Sequence, residues 1–275
     1  MLTRLRSLVH HLNHAKMSTA AGVVHNANVA CCTIPPVRSD YKPKGTYKPY
    51  GGFDKAYFAG PEKPGKLALV CVFDIFGFKP QTLQGADILA KELNAQVILP
   101  DFFEGDEPWP LDKFPPKTPE DKKKLQEWFG GFANPKNHVP KLNAVGKAVK
   151  EDGAEFVVAY GYCWGGKVVI VAGTQPDTPF DAVSIVHPAM LSVDDAAKLN
   201  IPLGIFISND EPKDEYEKIV QTMSKKPFAS KNDYRHFDSF HGFAAARANL
   251  DDPDNKAKYE ELYRTLIKFV KNASA

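Results

Sequence analysis

The sharpest chemical feature of the chain is Gly161-Tyr162-Cys163-Trp164-Gly165-Gly166-Lys167, which has the form G-x-nucleophile-x-G. It follows a short apolar run and precedes a segment of small residues. That arrangement is the nucleophile elbow, a tight strand-to-helix turn in which glycines on either side let backbones approach closely. A cysteine placed there is expected to be reactive. The helix N-terminus lowers its thiol pKa, the turn exposes the sulfur, and the Trp164 amide can donate to an oxyanion. Two other readings compete. The heptad nearly fits a phosphate-binding loop, but Val168 follows Lys167, so the hydroxyl that holds Mg²⁺ is missing. A structural glycine turn around a buried cysteine is the other.

An acyl-transfer nucleophile needs a base and a group that orients it, in the chain order nucleophile, acid, His for an α/β hydrolase. Asp210, in Ser-Asn-Asp-Glu, follows the apolar run PLGIFIS, and His241, in Ser-Phe-His-Gly-Phe, follows the next strand-like segment. Both the order and the spacing fit. His187, before Pro188, and His236, within a strand-like run, compete for the base and have less suitable settings. Asp74, in Phe-Asp-Ile-Phe-Gly, ends the first core strand, where a carboxylate faces the same crevice as Cys163. The Ile75 amide just after it is expected to supply the second oxyanion donor.

The elements that must position these residues read as an alternation. LALVCVFD (67–74), AQVIL (95–99), EFVVAYG (155–161), DAVSIVH (181–187), PLGIFIS (202–208) and NDYRHFD (232–238) are short runs of β-formers. Between and after them lie helical periodicities at Leu83/Ala86/Leu89/Ala90/Leu93, Leu142/Val145/Val149, residues 165–173, Tyr216/Ile219/Val220/Met223 and Leu262/Leu266/Val270. Apolar strands alternating with amphipathic helices indicate a mostly parallel sheet covered on both faces, an α/β fold in one domain over 35–272. Residues 35–64, with six prolines and four glycines, suggest an extended lead-in with a short hairpin. Residues 1–34 read as an N-terminal extension, disordered or targeting. The segment 100–138 is rich in Pro and aromatic residues, carries the charged run PEDKKKLQEWF, and reads as a lid or binding loop.

Asp-Ile-Phe-Gly (74–77), Gly-Tyr-Cys-Trp-Gly-Gly (161–166), Asn-Asp (209–210) and Phe-His-Gly-Phe (240–243) together resemble the dienelactone hydrolase family, the carboxymethylenebutenolidases and their relatives, over about residues 50–272. The resemblance implies the α/β-hydrolase fold and a thiol hydrolase that opens cyclic esters without metal or cofactor. Cys163 would attack the carbonyl, His241 act as base, Asp210 orient the histidine, and the amides of Ile75 and Trp164 hold the oxyanion. A glutamate in the family stands where Asp74 does here, and holds the resting thiol protonated. The family's bacterial enzymes bind a substrate carboxylate through arginines, one shortly after the catalytic His. Here Ala245 stands four residues after His241, and Arg247, with Phe76, is the candidate substrate contact. In a helix Arg247 would lie more than half a turn from that position.

Composition limits the partners. Lys and Arg number 35 against 33 Asp and Glu, but residues 1–39 hold four basic residues and no acid, which leaves 31 against 33 in the rest. A nearly neutral body has no concentrated basic patch for nucleic acid. No apolar stretch is long enough to span a membrane. The four cysteines, Cys31, Cys32, Cys71 and Cys163, show neither a disulfide framework nor metal spacing. The expectation is a cytoplasmic enzyme acting on a small ester or lactone, with the basic, acid-free opening also compatible with a mitochondrial presequence. Two alternatives remain open: a non-catalytic binding or thiol redox-sensing protein on the same fold, and a thioesterase or acyl transferase using the same residues.

Overall fold

The structure is a computed structural model, and the description covers residues 26, 28–104, 109 and 111–275. A short helix α1 (Val29–Thr33) precedes a hairpin of β1 (Thr46–Tyr50) and β2 (Phe53–Ala59). The alternation then runs β3 (Leu67–Val72), α2 (Pro80–Leu93), β4 (Gln96–Pro100), α3 (Pro119–Gly130), α4 (Pro135–Glu151) and β5 (Phe156–Tyr162). It continues through α5 (Trp164–Gly173), β6 (Ala182–Val186), α6 (Val193–Lys198), β7 (Leu203–Ile207), α7 (Lys213–Met223), β8 (Asp233–His236) and α8 (Pro253–Ala273).

The strands form one sheet in the order β1-β2-β4-β3-β5-β6-β7-β8. β2 is antiparallel to both β1 and β4, and every pairing from β4 onward is parallel. Parallel strands need crossovers, and those crossovers put helices on both faces. Side chains alternate accordingly: Val70 and Val72 of β3 join one core with α4 and α5, whereas Leu69 and Cys71 join the other with α2 and α8. Each expected strand of the parallel series is present, as are the hairpin in the lead-in and the long helices. This is the α/β-hydrolase fold.

Parallel register brings the carboxyl ends of β3, β5, β6, β7 and β8 to one edge, where the following turns can share a crevice. Val72 pairs with Gly161, Tyr162 with Val186, and Ile207 with His236. Over this edge lies the segment expected as a lid. In it α3 turns Leu125 and Phe129 inward and pairs Lys124 with Glu120 and Lys123 with Glu127 on its solvated face. Among the described residues, no helix is long and apolar enough to cross a membrane.

Candidate active site

Cys163 sits between β5 and α5 with φ 52° and ψ −115°, a left-handed backbone that costs of order 1–3 kcal/mol for a residue with a Cβ. Hydrogen bonds over-determine the turn. The Cys163 amide donates to Val186 O, and its carbonyl accepts from the amides of Gly166 and Ala189. The flanking glycines are a steric requirement: a Cβ on Gly161 would lie 2.3 Å from Gly165 O, and one on Gly165 would lie 2.3 Å from Val72 O. The turn after β5 therefore rests on the end of β3, which sets Trp164 and Ile75 on neighbouring loops. The Trp164 indole donates to Ala133 O at 2.7 Å and packs on Phe103 and His138, which fixes the start of α5.

The sulfur is not exposed as the elbow led us to expect; Cys163 is fully buried. What covers it is the end of the presumed extension. Most of residues 1–34 lie outside the described residues, but Val29–Thr33 form α1, capped by Asn28, and drive Cys31 into the site. Cys31 Sγ lies 3.1 Å from Cys163 Sγ, and the Asn26 side-chain amide donates to Cys31 Sγ.

His241 comes to the same point, its ring nitrogen within 4.8 Å of both sulfurs. Its Nδ1 meets Glu211 Oε1 at 2.6 Å, with both side chains fully buried, and Glu211 Oε2 accepts from the Ser208 amide. Asp210, the expected orienter, is exposed; it accepts instead from the His241 backbone amide at 2.7 Å. The physical reason is the turn after β7, which folds Glu211 back so that its carboxylate accepts from the Ser208 amide and faces the ring, and leaves Asp210 at the surface. Asp210 thus holds the histidine's main chain, and Glu211 its ring.

Burial disfavours a charged His241 ring, but hydrogen bonds with Cys31 and Glu211 outweigh it and push the imidazolium up to about 9. Cys31 moves the opposite way. The hydrogen bond to Cys163, followed by that to Cys32, holds its thiol well below the usual range despite burial. Burial, then the adjacent Cys31, pushes the Cys163 thiol well up. The shifts oppose one another within the cluster: His241 and Cys31 are drawn toward their charged forms and Cys163 toward its neutral one. His187 backs the base, its ring 5.2 Å from that of His241 and stacked on Tyr162. Burial, reinforced by the positive neighbours His241 and Arg247, lowers its pKa far enough to keep it neutral.

Asp74 is buried at the end of β3, where Oδ1 accepts from the Phe76 amide and Oδ2 from the Ala246 amide. These bonds turn the carboxylate toward the backbone of the two loops, and no described hydrogen bond joins it to Cys163. Burial raises its pKa, against the opposing pull of Arg247 and the two amides. Arg247 is fully buried, because residues 241–247 form successive turns rather than a helix, so the half-turn offset does not apply. Gly242, at φ 95°, makes room for it; a Cβ there would stand 2.5 Å from Arg247 Cδ. The guanidinium lies over Phe76 at 4.6 Å, donates to the carbonyls of Ile34 and Cys31, and leaves Nη1 without a partner among the described residues.

Cys31, Cys163 and His241 are also donor types that bind zinc-like cations. Their ligand atoms lie within 4.8 Å of one another, and the two sulfurs would have to part by roughly 0.7 Å to stand as tetrahedral ligands on one ion with Zn–S bonds of about 2.3 Å. Cys31, Glu211 and His187 were not assigned roles from sequence. The Cys31-Cys32 pair was visible as a pair of thiols, but nothing local ties it to a residue 132 positions away.

Residues 55–274 match the model of the dienelactone hydrolase family. An uncharacterized AIM2 family protein of Schizosaccharomyces pombe is 36% identical over 205 residues, 73% of this chain and 80% of the relative. A mouse carboxymethylenebutenolidase homolog is 29% identical over 223 residues, 78% of this chain and 86% of its own. A dienelactone hydrolase from Anabaena variabilis, 10% identical, superposes with a TM-score of 0.55 over 84% of this chain and 99% of that one. The fold, the ordered series of strand-end turns and the match over most of its length make this chain a hydrolase belonging to the dienelactone hydrolase family.

Proposed function

We propose that the protein cleaves a small ester or lactone with Cys163 as nucleophile. The observation that carries this reading is the convergence of a strained elbow cysteine and His241, with ligand atoms within 4.8 Å, and the bond from His241 Nδ1 to the buried Glu211 carboxylate. In the proposed cycle Cys31 leaves the site with the proton that the His241–Cys31 pair shares, the neutral His241 ring takes the Cys163 proton, and the Cys163 thiolate attacks the substrate carbonyl. The amides of Ile75 and Trp164 receive the developing oxyanion. His241 then protonates the leaving alkoxide, and a water activated by the same ring hydrolyses the thioester. Glu211 keeps the ring in the tautomer that can accept at Nε2, which has no other partner among the described residues. Asp210 fixes the histidine's backbone, and Asp74 joins the two loops.

Arg247 is the proposed contact for an anionic group on the substrate, with Phe76 beneath it, because a buried guanidinium with an unpaired Nη1 has unused donor capacity. Nε and Nη2 donate to the main-chain carbonyls of residues 34 and 31, and that segment covers the fully buried Cys163, so a substrate that reaches the sulfur has to displace it. A thioesterase would use the same residues and differ only in its leaving group.

The test is intact-mass measurement of the protein mixed with p-nitrophenyl esters, small lactones and acyl thioesters. The expected result is an acyl adduct that maps to Cys163 and vanishes in Cys163→Ala together with turnover. Full activity in Cys163→Ala would refute the assignment.

A further inference from the structure

We propose that Cys31 and Cys163 form a reversible disulfide on reaction with hydroperoxides, which fastens α1 over the active site and switches the enzyme off. The crosslink rests on geometry alone; its effect on activity rests on the hydrolase reading above.

Cys31 occupies a built position rather than a chance contact. Its amide is capped by Asn28 Oδ1 at 3.0 Å, its carbonyl accepts from Arg247 Nη2 at 2.7 Å, and its sulfur accepts from the Asn26 amide. Downstream, Ile34 O also accepts from Arg247, and the Val37 amide donates to Ala246 O. The segment is therefore pinned on both sides of the sulfur, with the two Sγ atoms 3.1 Å apart. Closing them to a bond of about 2.05 Å asks for a movement of roughly 1 Å. The helix presents Val29 outward, 73% exposed, and Cys31 inward. A cleft of about 560 Å³ bordered by Asn28, Pro188 and Glu211 lies on one side, and one of about 490 Å³ bordered by Cys32, Pro116 and Gln126 on the other. Cys31 is fully buried and borders neither cleft, so a small peroxide reaches its sulfur only as α1 shifts toward one of them.

The chemistry closes with His241 as proton carrier. The Cys31 thiolate attacks the peroxide oxygen, the O–O bond breaks, and the departing alkoxide takes the His241 proton to leave as an alcohol, or as water from hydrogen peroxide. Cys31 is then a sulfenic acid. Cys163 gives its proton to His241, and its sulfur attacks the Cys31 sulfur. The S–O bond breaks, and the released hydroxide leaves as water with that proton. Two thiols lose two electrons and the peroxide gains them. The disulfide removes the nucleophile and holds its cover in place, and a thiol reductant reverses both.

The experiment treats the reduced full chain with hydrogen peroxide, blocks free thiols with iodoacetamide, digests without reduction and maps crosslinks by mass while esterase activity is followed. The expected result is a Cys31–Cys163 peptide pair whose yield tracks a loss of activity that dithiothreitol restores. Cys32→Ser is expected to crosslink as the wild type does, and Cys31→Ser to show no dithiothreitol-recoverable loss. A Cys31–Cys32 or Cys32–Cys163 pair in place of the proposed one, or recoverable loss persisting in Cys31→Ser, overturns the proposal. The two readings fail separately. A Cys31–Cys163 crosslink with full activity would keep the disulfide and refute Cys163 as nucleophile. Cys163-dependent activity with no crosslink would do the reverse.

Discussion

Glu211 and Asp210 offer two adjacent carboxylates with different partners, and their amide variants separate the roles. In Glu211→Gln the side chain keeps one acceptor oxygen and gains an NH₂ group. The wild-type carboxylate accepts from two donors, His241 Nδ1–H through Oε1 and the Ser208 amide through Oε2. The variant cannot serve both. Either the Ser208 amide is left unpaired, which costs about 1–3 kcal/mol, or the ring flips to the tautomer that carries its proton on Nε2 and cannot act as base. The charge matters as well. The lift of His241 from 6.5 to about 9 is caused by Cys31 and Glu211 together, and at ~1.36 kcal/mol per unit the part due to Glu211 is of the order of 1–2 kcal/mol. A loss of ~2–4 kcal/mol in transition-state stabilisation follows, or roughly 30- to 1,000-fold in kcat. Asp210→Asn is different, because an amide oxygen can still accept from the His241 backbone at 2.7 Å. The difference between charged and neutral acceptors is ~1 kcal/mol, about fivefold. The assay is kcat on an activated ester, with thermal unfolding to show that both variants fold. If Asp210→Asn lost a hundredfold or more while Glu211→Gln stayed within fivefold, the assignment of the ring partner would be refuted (~1.4 kcal/mol per decade).

Four further outcomes are expected. An isolated thiol with pKa 9.0 is about 1% ionised at pH 7, whereas Cys31 is held well below that by its neighbours, so the ultraviolet thiolate absorbance at pH 7 is expected to drop on Cys31→Ser; an unchanged signal would count against the lowered thiol. Between 6.5 and about 9 the unfolded chain carries one proton on the Cys31 sulfur and the folded chain one within the His241–Cys31 pair, so the pair is expected to add no slope to stability against pH, as chemical denaturation across that range can check. Gly165→Ala drives a methyl group to 2.3 Å from Val72 O, and a cost of at least ~3 kcal/mol is expected in equilibrium unfolding, with loss of the elbow turn; wild-type stability would contradict the packing described. Arg247→Met is expected to raise KM for an ester bearing a carboxylate at least ~10-fold while leaving an uncharged ester of similar size less affected, and equal effects on both would remove Arg247 from substrate recognition.

The sheet was legible because its central strands are buried on both faces and so read as unbroken apolar runs, such as LVCV in β3 and VVAY in β5. The elbow was legible because its glycines are demanded by backbone contacts within a few residues. Long-range side-chain choices were not. Asp210 and Glu211 both follow β7, and only the direction of the chain as it leaves the strand decides which one faces His241. Arg247 was judged on helical spacing, but turns around Gly242 fold it inward. The five-residue α1 has no repeat long enough to read, and its place is set by Arg247 and Cys163, more than 130 residues away.

The guanidinium of Arg247 holds the carbonyls of Cys31 and Ile34, and it cannot hold them and a substrate anion with the same donors. Occupancy of the site is then a competition at fixed local concentration, since the rival is tethered to the enzyme itself. Apparent affinity scales with the fraction of molecules whose segment has swung clear, so a closed population of 99 in 100 weakens every substrate about 100-fold. A carboxylate recovers part of that deficit by replacing the two carbonyls on the guanidinium, and a neutral ester does not. On the proposed function, chain and charge together would act as a selectivity device, in which esters are discriminated by what they can put in the place of the protein's own backbone.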